Sequence, residues 1–132
     1  MNKEARYISL DEVVALHHNL VQKYGGSHGI RDFDLLISAV SRPQASFGGE
    51  DLYKNIFSKA SALLHSLVLN HPFIDGNKRT GSASCIRFLY LNGYVLKAKN
   101  EELVKFVLAI ASKKLDSDGI VVWLKKRSRK RR

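Results

Sequence analysis

The chain has 132 residues, 45% of them apolar, enough for one domain with a core of its own. No apolar run is long enough to span a bilayer, the N-terminal MNKEARYISLDEVV lacks the apolar stretch of a signal peptide, and a single cysteine, Cys85, excludes an internal disulfide. The net charge of +10 is uneven: Lys125 to Arg132 hold seven of the 22 basic residues, and the remainder balances to +3.

These bounds predict a cytoplasmic protein with no membrane contact. In chain order, Ser9 and Glu12 form an S-x-x-E capping box ahead of VVALHHNLVQKY. Leu10, Val13, Val14 and Leu20 share a face of that helix, and Gly25-Gly26 ends it. Asp32 or Asp34 starts a short second helix, which stops near Arg42 because Pro43 disfavours helical geometry before it. RPQASFGGEDLY reads as an exposed loop or small hairpin, and the strands of the chain are expected only around residues 41–50. Residues 53–70 read as a long central helix, with Ile56, Ala60, Leu63, Leu64 and Leu67 at helical spacing.

Residues 77–92 read as a further helix, with Ile86, Leu89 and Tyr90 inward and Gly93 at its end. Asn100 is placed to cap EELVKFVLAIASKK, and Asp116 or Asp118 to cap a last helix carrying Ile120, Val121 and Trp123. The expected fold is all-α: a single-domain bundle of six helices over residues 1–124, with a β-hairpin near residues 41–50. The tail KKRSRKRR, residues 125–132, is expected to be disordered, acting as a solubilising segment or in weak contact with nucleic acid.

Chemistry concentrates in HPFIDGNKRTG, residues 71–81. Pro72 ends the central helix near His71, and a new helix begins about Gly76 and Asn77, so the motif is a tight turn with a helix N-terminus exposed. The first amides of that helix lack intrahelical acceptors and, with the helix dipole, form an anion site. Gly76 lets a ligand approach the backbone. Lys78 and Arg79 sit against the positive end of the dipole, a misfit that makes sense if an anion lies between them. Asp75 is a hard oxygen ligand able to hold Mg²⁺, and His71 can take a proton from a hydroxyl. Phe73 and Ile74 anchor the turn, with at least one of them in the core. The set suits phosphoryl or nucleotidyl transfer. The bland readings are that His71 and Asp75 merely cap helix ends.

HPFIDGNKR resembles the signature of the Fic/Doc superfamily, H-x-F-x-[D/E/N]-[G/A]-N-[G/K]-R, at seven of its nine positions. YISLDEVVALHHNLVQKYGG and FLYLNGYVL are similar to the Doc (death-on-curing) branch, so the resemblance covers residues 6–124. Typical Fic enzymes carry glycine at the position of Lys78 and a second arginine at that of Ser82, and transfer AMP from ATP. Doc-like toxins instead phosphorylate a protein. The resemblance therefore implies a kinase toxin using ATP and Mg²⁺, with His71 as general base, Asp75 at the metal, and Gly76, Asn77, Lys78 and Arg79 on the phosphates. Phe73 becomes the buried anchor. Ser46, Phe47, Gly48 and Gly49 become a flap that docks the target by strand addition. The implied partners are a target resembling elongation factor Tu and a Phd-like antitoxin. No S/T-x-x-x-E/D-G-N inhibitory helix is present, so restraint has to come from another chain.

Three other readings compete. A Fic-type AMP transferase differs only in which phosphate stays on the target. An inert protein binding RNA through the tail lacks aromatic residues among its basic ones. A metal-dependent nuclease leaves Asn77 and Lys78 without a role. His17 and His18 are adjacent on a helix and point apart, so they are no metal pair. His65 and Cys85 are expected to be packing residues.

Overall fold

Side chains of Ser9, Asp32, Asn55 and Asp116 each accept the backbone N–H three residues on, and each starts a helix. The computed structural model describes residues 4–132. Its helices are α1 (Leu10–Tyr24), α2 (Phe33–Ser41), α3 (Ile56–Leu69), α4 (Asn77–Leu91), α5 (Asn100–Ala111) and α6 (Ser117–Arg127). Two antiparallel pairs complete it: β1 (Ser46–Phe47) with β2 (Glu50–Asp51), and β3 (Tyr94–Leu96) with β4 (Ser128–Lys130). This is the expected all-α bundle of six helices with a small hairpin, β1–β2; the β3–β4 pair is a correction, since the sequence predicts strands only around residues 41–50. Among the described residues no helix is long and apolar enough to cross a membrane.

The centre is α3. It is buried almost all round, through Phe57, Ala60, Leu63, Leu64, Leu67 and Val68 among others, and it packs against α2, α4, α5 and α6. Such a helix has no solvent face and must be the core of the bundle. The facing stripe of α4 runs through Gly81, Ser84, Cys85, Phe88 and Leu89. The small members of that stripe let the two helices close up. A Cβ on Gly81 would meet Val68 Cγ2 at 3.1 Å. Of the residues expected inward, Leu89 is buried in this stripe, while Ile86 and Tyr90 fall on the outer side of the helix and are exposed. Cys85 is a core thiol, its pKa pushed up to about 12 by burial.

Two cations anchor the β1–β2 hairpin to α3. Gly48 and Gly49 form its two-residue turn with φ of 59° and 82°, the geometry that matches the twist of the flanking strands. Before it, Arg42 donates to the Tyr53 hydroxyl (2.7 Å), to Ser66 Oγ (2.7 Å) and to His65 Nδ1 (3.1 Å). After it, the buried Lys59 ammonium reaches Asp51 Oδ2 at 3.1 Å and the Pro43 carbonyl at 3.2 Å.

His65 can accept from Arg42 only while neutral. Burial first, and the Arg42 charge second, hold its pKa below the ordinary 6.5, with Asp116 opposing. The unfolded chain therefore binds the proton at a higher pH than the folded one, and acid favours unfolding. His65 stabilises the fold fully above about pH 6.5, and this stability is lost as pH falls through the window beneath that value. His65→Gln keeps an acceptor for Arg42 but does not titrate. Urea midpoints measured from pH 5 to 7.5 should fall less steeply on the acid side for His65→Gln than for the parent protein. Parallel curves would remove His65 from the acid limb.

Residues 125–132 depart from the expected disordered tail. Lys125–Arg127 close α6, and Ser128–Lys130 add to β3 in the register Leu96↔Ser128 to Tyr94↔Lys130. Flanking backbone bonds run from Lys97 N to Arg127 O and from Arg131 N to Gly93 O, both 2.7 Å. Arg127 also pairs with Glu102 (3.1 Å) and lies over the Trp123 ring, which itself stacks on Phe106. β3 offers an unpaired edge that sequence spacing does not reveal, and the tail satisfies it. The helical boundary at 124 thus lies inside α6. A smaller revision concerns α5: Lys99, not Asn100, stands at its N-cap, with Glu102 accepting the Lys99 amide.

Candidate functional site

The turn between α3 and α4 is locked from three sides. His71 follows the Asn70 cap with φ of 49°, a left-handed conformation uncommon outside glycine, asparagine and aspartate. Arg31 holds it there: its Nη2 donates to the Asn70 carbonyl (2.7 Å) and its Nε to the His71 carbonyl. The amides of Arg31 and Asp32 both donate to the Pro72 carbonyl (2.7 and 3.0 Å), and Ile30 bridges to Phe73. Beneath the turn, Phe73 is 1% exposed and stacks on His17, ring centroids 3.8 Å apart. Ile74 is 58% exposed, so only one of the two apolar residues is an anchor. The His17 Nε2 lies 2.8 Å from the Asp75 carbonyl and donates to it.

Asn77 closes the loop from within. Its Oδ1 accepts the Phe73 amide (2.9 Å), its Nδ2 donates to the Phe73 carbonyl (3.0 Å), and the residue is buried. Both ends of this side chain are taken. The Asn77 side chain thus shapes the loop, while its backbone amide stands at the start of α4.

What remains open at α4 is its N-terminus. Gly76 is the N-cap with φ of 78°, and having no side chain it cannot cap. Thr80 N makes the first helical bond, to Gly76 O. The amides of Asn77, Lys78 and Arg79 make no bond to other described residues. An uncapped first turn next to two cations, Lys78 and Arg79, both exposed, is an anion-binding arrangement. The Arg79 guanidinium lies 4.8 Å over the Tyr24 ring, which orients it. Ser82 turns its hydroxyl back to the Lys78 carbonyl (2.9 Å).

These groups share an open cleft of about 970 Å³, at the upper end of the roughly 300–1,000 Å³ of ligand pockets. His71, Asp75, Gly76, Lys78 and Arg79 line one wall, and Leu103, Val104, Val107 and Leu108 of α5 an apolar one. The His71 imidazole makes no hydrogen bond to other described residues. The flap residues Ser46, Phe47, Gly48 and Gly49 are not among the walls; Phe47 stands 84% exposed at the hairpin tip.

Asp75 is exposed, and each carboxylate oxygen accepts one amide: Oδ1 from Gly76 (2.9 Å), Oδ2 from Ser27 (3.2 Å). A side chain on Gly26 would place its Cβ 2.8 Å from Oδ2. One lone pair per oxygen is left for a hard cation. No group of three His, Cys, Asp or Glu side chains that could hold a metal exists among the described residues. The donor set fits a cation that takes one carboxylate and completes its shell with phosphate and water, as Mg²⁺ does, and does not fit an all-protein metal site.

Sequence reasoning missed two residues that hold this site, Arg31 and His17. His17 was readable: Val13, His17 and Val21 fall four residues apart on one face, and all three are buried. Arg31 left no signal, because its partners lie about 40 residues away in sequence.

A model of the Fic/DOC family matches residues 7–89. A protein named Toxin Doc, from Mycolicibacterium smegmatis, is 42% identical over 106 residues, covering 76% of this chain and 79% of its own. A protein named Protein kinase doc, from Escherichia phage P1, is 29% identical over 121 residues, covering 92% of this chain and 94% of its own. The matched family segment contains the entire turn, the uncapped start of α4 and the residues that brace them. The chain belongs to the Fic/DOC family, on its Doc branch.

Proposed function

We propose that this protein is a Doc-like toxin that transfers the γ-phosphate of ATP to a hydroxyl of a protein target. The observation that carries the reading is the uncapped first turn of α4, flanked by Lys78 and Arg79, sharing one cleft with the His71 imidazole. The relatives named as a toxin and as a protein kinase support it. By the same likeness, the target resembles elongation factor Tu, a Phd-like antitoxin restrains the toxin, and translation is what stops.

In this reading the polyphosphate of ATP lies across the first amides of α4, with Lys78 and Arg79 offsetting its charge. Asp75 would hold Mg²⁺, which would supply charge neutralisation to the phosphates. The apolar wall of α5 receives the base. The target hydroxyl oxygen attacks the γ-phosphorus, its proton passes to His71, and the bond from that phosphorus to the bridging oxygen breaks to release ADP. Phe47 at the tip of the flap and the exposed strand edge of β1 dock the target chain. Lys78 decides which phosphorus faces the hydroxyl, by occupying the space that a glycine would leave open.

The test is label transfer to protein from ATP labelled at the γ or the α phosphate, in a lysate with Mg²⁺. Label from the γ position alone is the expected result. Label from the α position would make the protein an AMP transferase and overturn the kinase reading.

A further inference from the structure

We propose that the β3–β4 pair and the C-terminal end of α4 form a second binding surface, for single-stranded nucleic acid. The tail carries seven cations in eight positions: Lys125, Lys126 and Arg127 end α6, Arg129 and Lys130 lie on β4, and Arg131 and Arg132 follow it. Among the described residues only one of the seven, Arg127, enters an ion pair. Lys125, Lys126, Arg129, Lys130, Arg131 and Arg132 are all exposed. A run of uncompensated like charges repels itself unless a polyanion lies along it.

Charge alone would suit any polyanion. The second observation is aromatic. The tail contains no aromatic residue, yet the fold brings two rings to its arginines. Arg131 lies 4.4 Å over Tyr90, and Arg127 lies 4.2 Å over Trp123. Tyr90 is 45% exposed, so a face or edge of the ring remains available to a ligand beside the guanidinium. A solvent-facing ring next to a row of cations is what unpaired bases stack on, while the cations follow the phosphates. A duplex keeps its bases stacked inside and has no use for the ring.

This surface is separate from the ATP-binding cleft. Lys78 and Tyr90 lie at opposite ends of α4, about 20 Å apart at 1.5 Å per residue. Nothing at the β3–β4 pair depends on His71, so the surface can act whichever phosphate the cleft transfers, and also if it transfers none.

The experiment is fluorescence anisotropy of the whole protein with 12-nucleotide oligo-uridine and oligo-thymidine, over a range of salt. Both should bind, with log affinity falling linearly in log salt by about 0.7 per phosphate contacted. Lys130→Gln with Arg132→Gln touches no intramolecular partner of either side chain and should flatten that slope by about 1.4. Tyr90→Leu should weaken binding about fivefold or more with the slope unchanged. His71→Ala should bind like the parent. Tighter oligo-uridine binding would assign the surface to RNA, and equal binding to single strands of either kind. No binding at low salt overturns the proposal. So does equal competition by polyglutamate of matched charge, or a Tyr90→Leu variant that binds as well as the parent, since either would leave only a basic patch.

Discussion

Replacing His71 with alanine should reduce phosphoryl transfer by about 10²–10⁴-fold, the usual contribution of a positioned general base. ATP binding should be nearly unchanged, since the imidazole is not part of the anion-binding turn. The backbone gives this prediction a control. His71 sits at φ of 49°, where a non-glycine residue stores of order 1–3 kcal/mol of strain. His71→Gly relieves that strain, so it should be at least as stable as the parent and as inactive as the alanine variant. The readout is initial rate of label transfer from γ-labelled ATP beside a thermal melt. If the glycine variant keeps the parent rate, His71 is only a conformational element and the proposed base is elsewhere.

Phe73→Ala should be the most damaging single truncation of the turn, costing about 3–5 kcal/mol as for a buried phenylalanine whose cavity cannot collapse. The ring is 1% exposed and faces His17, and the backbone of the same residue carries both Asn77 hydrogen bonds. Losing the ring unseats the backbone that Asn77 clasps, so nucleotide affinity should fall along with stability. Ile74→Ala is the comparison. It removes a larger aliphatic group than most surface changes, but at 58% exposure it should stay within about 0.5 kcal/mol of the parent in a urea titration. Equal losses from the two would mean that the turn is not seated on Phe73.

The motif was readable because its parts are local. His71, Asp75, Gly76, Lys78 and Arg79 lie within nine positions, and the rules that place them, a proline ending one helix and a glycine starting the next, act over a few residues. The same holds for the caps at Ser9, Asp32 and Asp116. Where the sequence misled, a distant partner decided. Ile86 and Tyr90 looked inward because they are apolar. The surface of α3 instead takes the stripe Gly81, Ser84, Cys85, Phe88 and Leu89, which leaves Ile86 and Tyr90 on the outer side.

By itself, then, the sequence determined that there are six helices and roughly where each lies, the all-α class, and the chemistry gathered in one turn, since each follows from short-range interactions. Tertiary structure alone decided that α4 turns Ile86 and Tyr90 outward, that Arg31 and His17 brace the turn, and that Ser128–Lys130 pair with β3 and bring Arg131 to Tyr90. Those outcomes depend on pairs of groups tens of residues apart, each satisfying a hydrogen bond or covering a ring that the other leaves open, and no local pattern records that complementarity.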